Sequence, residues 1–456
     1  MDTFDKVFGE KENNESPAST NYLAAKKAFE KGDYRESLRL QMFAFNVDPN
    51  FMPTYELAVL ALEKLGGKTE ADLFKKALED FNNYKPFYNL GYHFTGVGNY
   101  RMAIPFLQRS LALSNNSLGV AMELAIAYTA QFLPEKGMEL LKQINLDNNF
   151  WALCQLHWCS LLSSQPDGIE EFISNTKKQF KDRLNMQDKN IAAVFAAIDK
   201  LEECLNRYKT VQNPEYIIRI WHYIQYGSAI LDYFDNSVAE NALQVAGGRY
   251  VAKFGSYKEV KLVISKLEKY LIKLDKVPTT VYILPSRNSE ILSKAISKIL
   301  GVDCIQYIRN TPVQNGLIVA GDTSEFNDYP ELVNIRGNTV TFALNHNWLD
   351  NSLITPDICG FMSQTYIFPW EGGSVKVNPE TKQVDKSEPD LRSAEEIAHS
   401  IASEEVEINP EFNEILEFYY ERKDYMKGGL KDTFKRLHYN TDSNSEPVVT
   451  FSYIIT

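Results

Sequence analysis

Residues 84–117 carry a pattern that recurs through the first third of the chain: Phe87, Leu90-Gly91, Phe94, Gly98-Asn99-Tyr100, Ala103, Leu107 and Leu111. Small residues at Gly91 and Ala103 let two antiparallel helices approach, and Gly98-Asn99-Tyr100 supplies the turn between them. The large residues fill the space between one pair and the next. Residues 18–51 repeat the pattern as Ala24-Ala25, Ala28, Gly32-Asp33-Tyr34, Leu38, Ala44 and Asp48-Pro49, and residues 52–83 as Tyr55, Ala58, Gly66 and Ala71. Residues 118–150 give Leu124-Ala125, Tyr128, Gly137 and Leu141, with Pro134 at the turn, and a degenerate fifth pair runs from Phe150 to about Phe180. One such pair cannot bury its own apolar face, so the units must stack into a helical array.

These positions resemble the tetratricopeptide repeat over about residues 18–180. The resemblance implies an all-α superhelix with a concave groove lined by the first helix of each pair. In the family's frame the groove-facing positions are Tyr22, Lys26, Lys85, Tyr88, Tyr92 and Ile126. Aromatic and basic groups in a groove suit an extended or helical peptide with some negative charge, so a protein or peptide partner is expected. Packing of the tyrosines between neighbouring helices is the competing reading. The best-known members hold acidic C-terminal peptides through Lys-xxx-Asn in the first repeat and Lys-xxx-Arg in the third. Here Lys26 is followed four residues later by Glu30, and Lys85 by Asn89, which leaves the partner open.

Helical periodicity continues through a connector at 181–239. Ile191, Val194, Ile198, Leu201 and Leu205 line one face of a helix over 190–208. Asn213-Pro214-Glu215 reads as the start of another, running to about Phe234. After Gly247-Gly248 the period changes. Strands are expected at Arg249–Phe254, Thr280–Leu284, Cys304–Ile308, Gly316–Ala320 and Thr339–Leu344. Helices are expected after Ser256-Tyr257-Lys258-Glu259 and from Ser289 to Leu300. Strands alternating with helices of about 12 residues indicate a crossover parallel sheet, placed here at 240–380. Residues 381–456 add helices after Ser393 and Asn409-Pro410-Glu411, and a β-type segment, Val448–Thr456, suited to the edge of the same sheet. The expected fold is multidomain: a mobile acidic leader over 1–17, an all-α repeat superhelix, then an α/β domain with a mostly parallel sheet.

Two strand ends in the α/β domain offer candidate ligand groups. Ser286, Arg287, Asn288 and Ser289 sit between a strand and a helix N-terminus, where free N–H groups, hydroxyls and a guanidinium suit an anion. The same residues also make a plain capped turn, and the phosphate-loop glycines are missing. Asp322 ends the apolar run Leu317–Ala320. It faintly resembles the strand-end acids of phosphoribosyltransferases, which bind ribose hydroxyls. Asp322 stands alone where that family has a pair, and Glu325-Phe326 replaces the glycines, so a strand-end turn is the plainer reading. Ligands favour the carboxyl ends of such strands.

No catalytic nucleophile, metal-ligand spacing or cofactor motif stands out. The six histidines are scattered, and Cys154 and His157 read as neighbours on a packed helix face. Trp348, Phe368 and Trp370 read as core or packing aromatics. Five cysteines without Cys-x-x-Cys fit buried thiols and a cytoplasmic setting. The chain lacks an apolar run long enough for a membrane span.

The net charge of −12 argues against a nucleic-acid coat. It is unevenly placed. Between Asp385 and Glu421 twelve acids face only Lys386 and Arg392, leaving the rest of the chain nearly neutral. This acidic stretch reads as a solvated linker and helix face, or as a segment docking on a basic surface such as the Lys-rich helix Lys258–Lys276. The strongest motif points to an interaction scaffold whose α/β domain binds or regulates. The alternatives are an enzyme or binding protein for a phosphorylated or nucleotide-like ligand, and a self-assembling structural subunit.

Overall fold

The computed structural model describes residues 16–131, 133–146, 149–181, 189–211, 218–232, 244–245, 249–334, 339–347, 354–373, 375–377 and 384–426. Nearly all of the acidic leader, Asn213-Pro214-Glu215, Trp348 and Val448–Thr456 lie outside the described residues. The described chain forms two compact units, one ending at Phe172 and one beginning at Ile173.

The first unit is built from helical pairs: α1 (Ser19–Glu30) with α2 (Tyr34–Val47), α3 (Met52–Leu65) with α4 (Lys68–Glu79), and α5 (Tyr84–Gly96) with α6 (Tyr100–Leu113). The pairs continue with α7 (Leu118–Ala130) and α8 (Pro134–Lys142), then α9 (Phe150–Leu162) and the start of α10 (Ile169–Phe180). Local chemistry sets the starts. Asp33, Asn99 and Asn149 each accept a backbone N–H of the following turn through a side-chain oxygen, satisfying donors that a helix leaves open. Gly91 permits the α5–α6 approach, since a Cβ there would lie 2.4 Å from Leu107 Cγ.

An aromatic hub joins the first three pairs. Tyr55 of α3 is fully buried, its hydroxyl donating to the Pro49 carbonyl at 2.6 Å. Its ring lies 4.8 Å from Phe45 of α2, 5.8 Å from Phe87 of α5 and 5.8 Å from Phe106 of α6. Phe45 and Phe106 themselves meet at 5.0 Å, so α2 packs directly on α6 across one pair of the series. Arg109 closes the hub. Its guanidinium donates to Asn50 Oδ1 and the Phe81 carbonyl and lies 4.0 Å over the Phe81 ring.

The second unit begins with the remainder of α10, then α11 (Lys189–Thr210) and α12 (Ile218–Tyr226). The helix expected to reach Phe234 stops at Tyr226, where Gly227 turns to φ +60°. The chain then enters a strand, β1 (Ala229–Ile230), whose residues pair in parallel with Ile358 and Cys359. There follow β2 (Gln244–Val245), β3 (Arg249–Phe254), α13 (Tyr257–Lys273), β4 (Thr280–Ile283), α14 (Arg287–Leu300) and β5 (Asp303–Gln306). Next come β6 (Gly316–Asp322), β7 (Val340–His346) and β8 (Ile358–Ile367), with a small hairpin of β9 (Val375–Val377) and β10 (Val384–Lys386). The sheet order is β2-β3-β8-β7-β6-β4-β5, with β1 also on β8. Every pairing in it is parallel except β2 with β3. All seven residues of β7 are buried, as a sheet covered on both faces requires.

β8 was not among the expected strands. Its sequence, Ile-Cys-Gly-Phe-Met-Ser-Gln-Thr-Tyr-Ile, alternates poorly because the strand lies inside the sheet, between β7 and the β1/β3 side. The acidic stretch is also not a simple solvated face. Its helices α15 (Ala394–Ser403) and α16 (Phe412–Glu421) bury Ile397, Ala398, Ile401, Phe412, Leu416 and Tyr419, packing against α13 and α14. Lys273 meets Glu417 at 2.7 Å and Lys294 meets Glu395 at 3.6 Å. Exposed pairs of this kind contribute about 0–1 kcal/mol each, so the apolar faces hold these helices and the lysines set their register.

Candidate functional site

The sheet order places the five α/β candidates. Strand β4 has β5 on one side and β6 on the other, so the chain leaves β4 in one direction and returns to β6 in the opposite one. The crevice at the carboxyl ends of β4 and β6 is therefore the topological switch point, where open α/β sheets bind ligands. Ser286 and Ser289 follow β4, and Asp322 ends β6. Two candidates chosen apart in sequence thus converge in space.

Their polar groups close on one another around Glu325, which sequence reasoning passed over. Glu325 lies in a 3-10 turn (Thr323–Asp328) directly after β6. The Ser286 hydroxyl donates to Glu325 Oε2 at 2.6 Å, while the N–H groups of Gly321 and Asp322 donate to Oε1 at 3.0 and 3.2 Å. A hydroxyl and two backbone donors around one carboxylate make an anion seat, and here the chain's own side chain fills it. The local signal was Asp322-x-x-Glu325, the spacing of a capping box. Burial pushes the Glu325 carboxyl above its ordinary range, and nearby Asp322 adds to the rise; the Ser286 and backbone hydrogen bonds oppose it.

The remaining candidates have separate partners. Ser289 Oγ donates to the Val319 carbonyl at 2.7 Å and accepts from Leu284 N at 2.8 Å, tying α14 to β6 and β4. Asn288 bridges Glu371 at 2.8 Å and Trp370 Nε1 at 2.6 Å. Arg287 turns instead to the carbonyls of Asp390 and Arg392, so its guanidinium braces the chain entering α15. Asp322 Oδ2 accepts from Asn345 at 2.6 Å, and Asn345 Oδ1 accepts from Ser363 Oγ at 2.6 Å. This relay joins the ends of β6 and β7 to the middle of β8, with Asn345 and Ser363 buried and Asp322 partly so.

Replacing Glu325 with Gln gives a test with a defined sign. A carboxyl raised on folding contributes stability that is fully present below its unfolded pKa and lost as pH rises through the folded value. The native protein should therefore gain stability relative to Glu325→Gln as pH falls from 7 towards 4.5, read as the difference in Tm between the two proteins. A gap independent of pH would show that the carboxyl ionises as it does in the unfolded chain.

A second polar cluster was not foreseen. Cys359 Sγ of β8 lies 3.8 Å from His222 Nε2 of α12, and the His222 and His346 rings are 5.3 Å apart. Its members are far apart in the chain, so no local motif signalled it. Among the described residues, no group of three or more His, Cys, Asp or Glu is arranged to hold a metal ion.

In the helical unit the six groove candidates divide. Tyr22 is buried in the core and meets Phe51 edge-on at 5.4 Å; burial, with Glu56 and Glu30 nearby, raises its hydroxyl to about 12. Lys26 and Ile126 are half-buried, and Lys85 is exposed. Tyr88 and Tyr92, one turn apart on α5, stack at 5.8 Å with 27° between their planes, and Tyr92 is 46% exposed. Burial and nearby Glu123 raise the Tyr88 hydroxyl. Lys85 and Tyr92 are thus exposed on the face of α5 that also carries Tyr88, which is half-buried against the helical core, while Tyr22 packs inward.

No helix among the described residues is long and apolar enough to cross a membrane. No family model matches the chain, and no curated protein matches it.

Proposed function

We propose that the protein is an interaction scaffold whose helical unit, of tetratricopeptide type, binds a peptide segment of a partner. The observation that carries this reading is the Tyr88–Tyr92 stack, presented beside Lys85 on the first helix of its pair. Stacked tyrosines offer a rigid apolar surface with hydroxyl tips, and the lysine adds a positive rim, a combination suited to a peptide with aromatic or aliphatic anchors and a flanking acid. In the α/β unit, the groups at the switch point already satisfy one another, which supports a supporting or regulatory role there over catalysis.

The test is selection of displayed 12-residue peptides on the full-length protein, followed by affinity measurement on the Tyr88→Ala/Tyr92→Ala double variant. Loss of two aromatic anchors should weaken the selected peptides by about tenfold or more. Equal affinity for both proteins would remove this patch from the proposed groove.

A further inference from the structure

We propose that the turn Glu388–Ser393 is an inhibitory loop for a serine endopeptidase that prefers large apolar residues, with Leu391 as the side chain that enters the enzyme's pocket. This inference concerns the α/β unit alone and does not depend on the groove reading. Leu391 is 86% exposed, more than any other large apolar side chain among the described residues. A single exposed leucine is ordinary on a protein surface. What separates this one from the ordinary case is how firmly the backbone on both sides of it is held.

The neighbours Asp390 and Arg392 are fixed at both backbone and side chain. The Asp390 N–H donates to the carbonyl of fully buried Trp370 at 3.0 Å, and the Tyr257 hydroxyl donates to Asp390 Oδ2 at 2.5 Å. The Arg392 N–H donates to Asp390 Oδ1 at 3.1 Å. Its guanidinium donates to Asp390 Oδ2 at 2.6 Å and to Ser400 Oγ at 2.9 Å. Hydrogen bonding from Arg392 holds the Asp390 carboxyl well below its usual range, so the pair stays ionised at neutral pH. From behind, one nitrogen of Arg287, Nη2, donates to the carbonyls of both Asp390 and Arg392. Ser393 then caps α15 through its capping box with Glu396.

A rigid loop spares a partner the cost of ordering it, which favours docking of any kind. These bonds also tie together the two halves of chain that the Leu391–Arg392 peptide bond joins. Trp370 and Tyr257 hold the acyl half, Ser400 and α15 hold the amine half, and Arg287 and the Asp390–Arg392 pair span both. Such a tether adds nothing to simple docking, but it separates an inhibitor from a substrate. The enzyme's serine oxygen adds to the Leu391 carbonyl carbon, the bond to the Arg392 nitrogen breaks, and the enzyme's histidine carries the serine proton to the departing amine. In a flexible peptide the amine half diffuses away, and water then hydrolyses the ester. Here the amine stays beside the ester and attacks it, restoring the peptide bond and returning the proton to the serine. Leucine fits the hydrophobic slot of a chymotrypsin-type pocket.

Chymotrypsin with a chromogenic peptide substrate tests this on the full-length protein, while mass spectrometry follows the Leu391–Arg392 bond. The native protein should inhibit with a constant of about 1 μM or lower, and that bond should persist for hours. Leu391→Ala, at a position open to solvent, should weaken inhibition about 100-fold and leave Tm unchanged. Arg287→Ala should be cut at Leu391–Arg392 about tenfold faster than the native chain, because the tether is lost. No inhibition at about 100 μM protein overturns the proposal, since a preorganised loop binds well below that concentration. Cleavage of the native bond as fast as in a free peptide of residues 388–394 overturns it as well. So does inhibition that survives Leu391→Ala, which places the contact elsewhere, or an Arg287→Ala protein as resistant as the native one.

Discussion

Gly360→Ala is expected to destabilise the α/β unit by about 3 kcal/mol, because the added methyl has nowhere to go. A Cβ at Gly360 would lie 2.5 Å from the Leu344 carbonyl oxygen of β7 and 3.0 Å from Val263 of α13. The first obstacle is backbone within a paired ladder, in which Ala343 and Asn345 are in register with Cys359 and Phe361, so relief requires β7 and β8 to move apart. Thermal unfolding of the full chain should show a transition lowered by several degrees. Gly119→Ala, on a helix with open space around the new Cβ, should leave stability unchanged or slightly raised. A native transition in Gly360→Ala would mean that β7 and β8 do not pair as described.

The second large effect is expected in the helical unit. Tyr55→Ala removes the ring at the centre of the aromatic hub and should destabilise that unit by about 4 kcal/mol, combining lost burial with a cavity. Tyr55→Phe keeps the ring contacts with Phe45, Phe87 and Phe106 but leaves the Pro49 carbonyl without its 2.6 Å donor. That substitution should cost about 1 kcal/mol. Urea denaturation of the three proteins separates the contributions. Similar losses in both variants would mean that the hydrogen bond, and not the ring, holds the hub together.

These two sites differ in how far they could be read from sequence. Tyr55 belongs to the recurring helical-pair pattern, and a large residue at that spacing is expected to fill the core between pairs. Gly360 lies in β8, which alternation did not reveal. Both faces of that strand are buried from Ile358 to Ser363, and the hydrophobic period of two fades when each face demands apolar or small residues. Helix starts were legible for the opposite reason. Ser256-x-x-Glu259 and Ser393-x-x-Glu396 form complete capping boxes, made by groups three residues apart.

The switch-point residues were legible only in part. Ser286 and Asp322 could be chosen as strand-end groups, but their meeting depends on β4 and β6 being neighbours. Glu325 changes the chemistry of that meeting, since a carboxylate already accepts the donors that would receive an anion. The acidic stretch shows the same division. Its charge was plain in the sequence, yet its attachment runs mainly through Ile397, Ile401, Leu416 and Tyr419, whose buried faces emerge only when α15 and α16 meet α13 and α14.

The sequence by itself determined the helical pairs, their caps and turns, the helix–strand alternation of the second unit, and the uneven placement of charge. Each of these rests on interactions among residues a few positions apart, where backbone preference and side-chain spacing act without the rest of the chain. Only the tertiary structure decided that α2 packs on α6, that β8 lies beside both β7 and β3, and that Glu325 occupies the seat formed by Ser286 and the β6 end. The same holds for His222 lying against Cys359. Those arrangements join residues tens to more than a hundred positions apart, and their stability depends on burying surfaces that exist only once the local elements have formed and met.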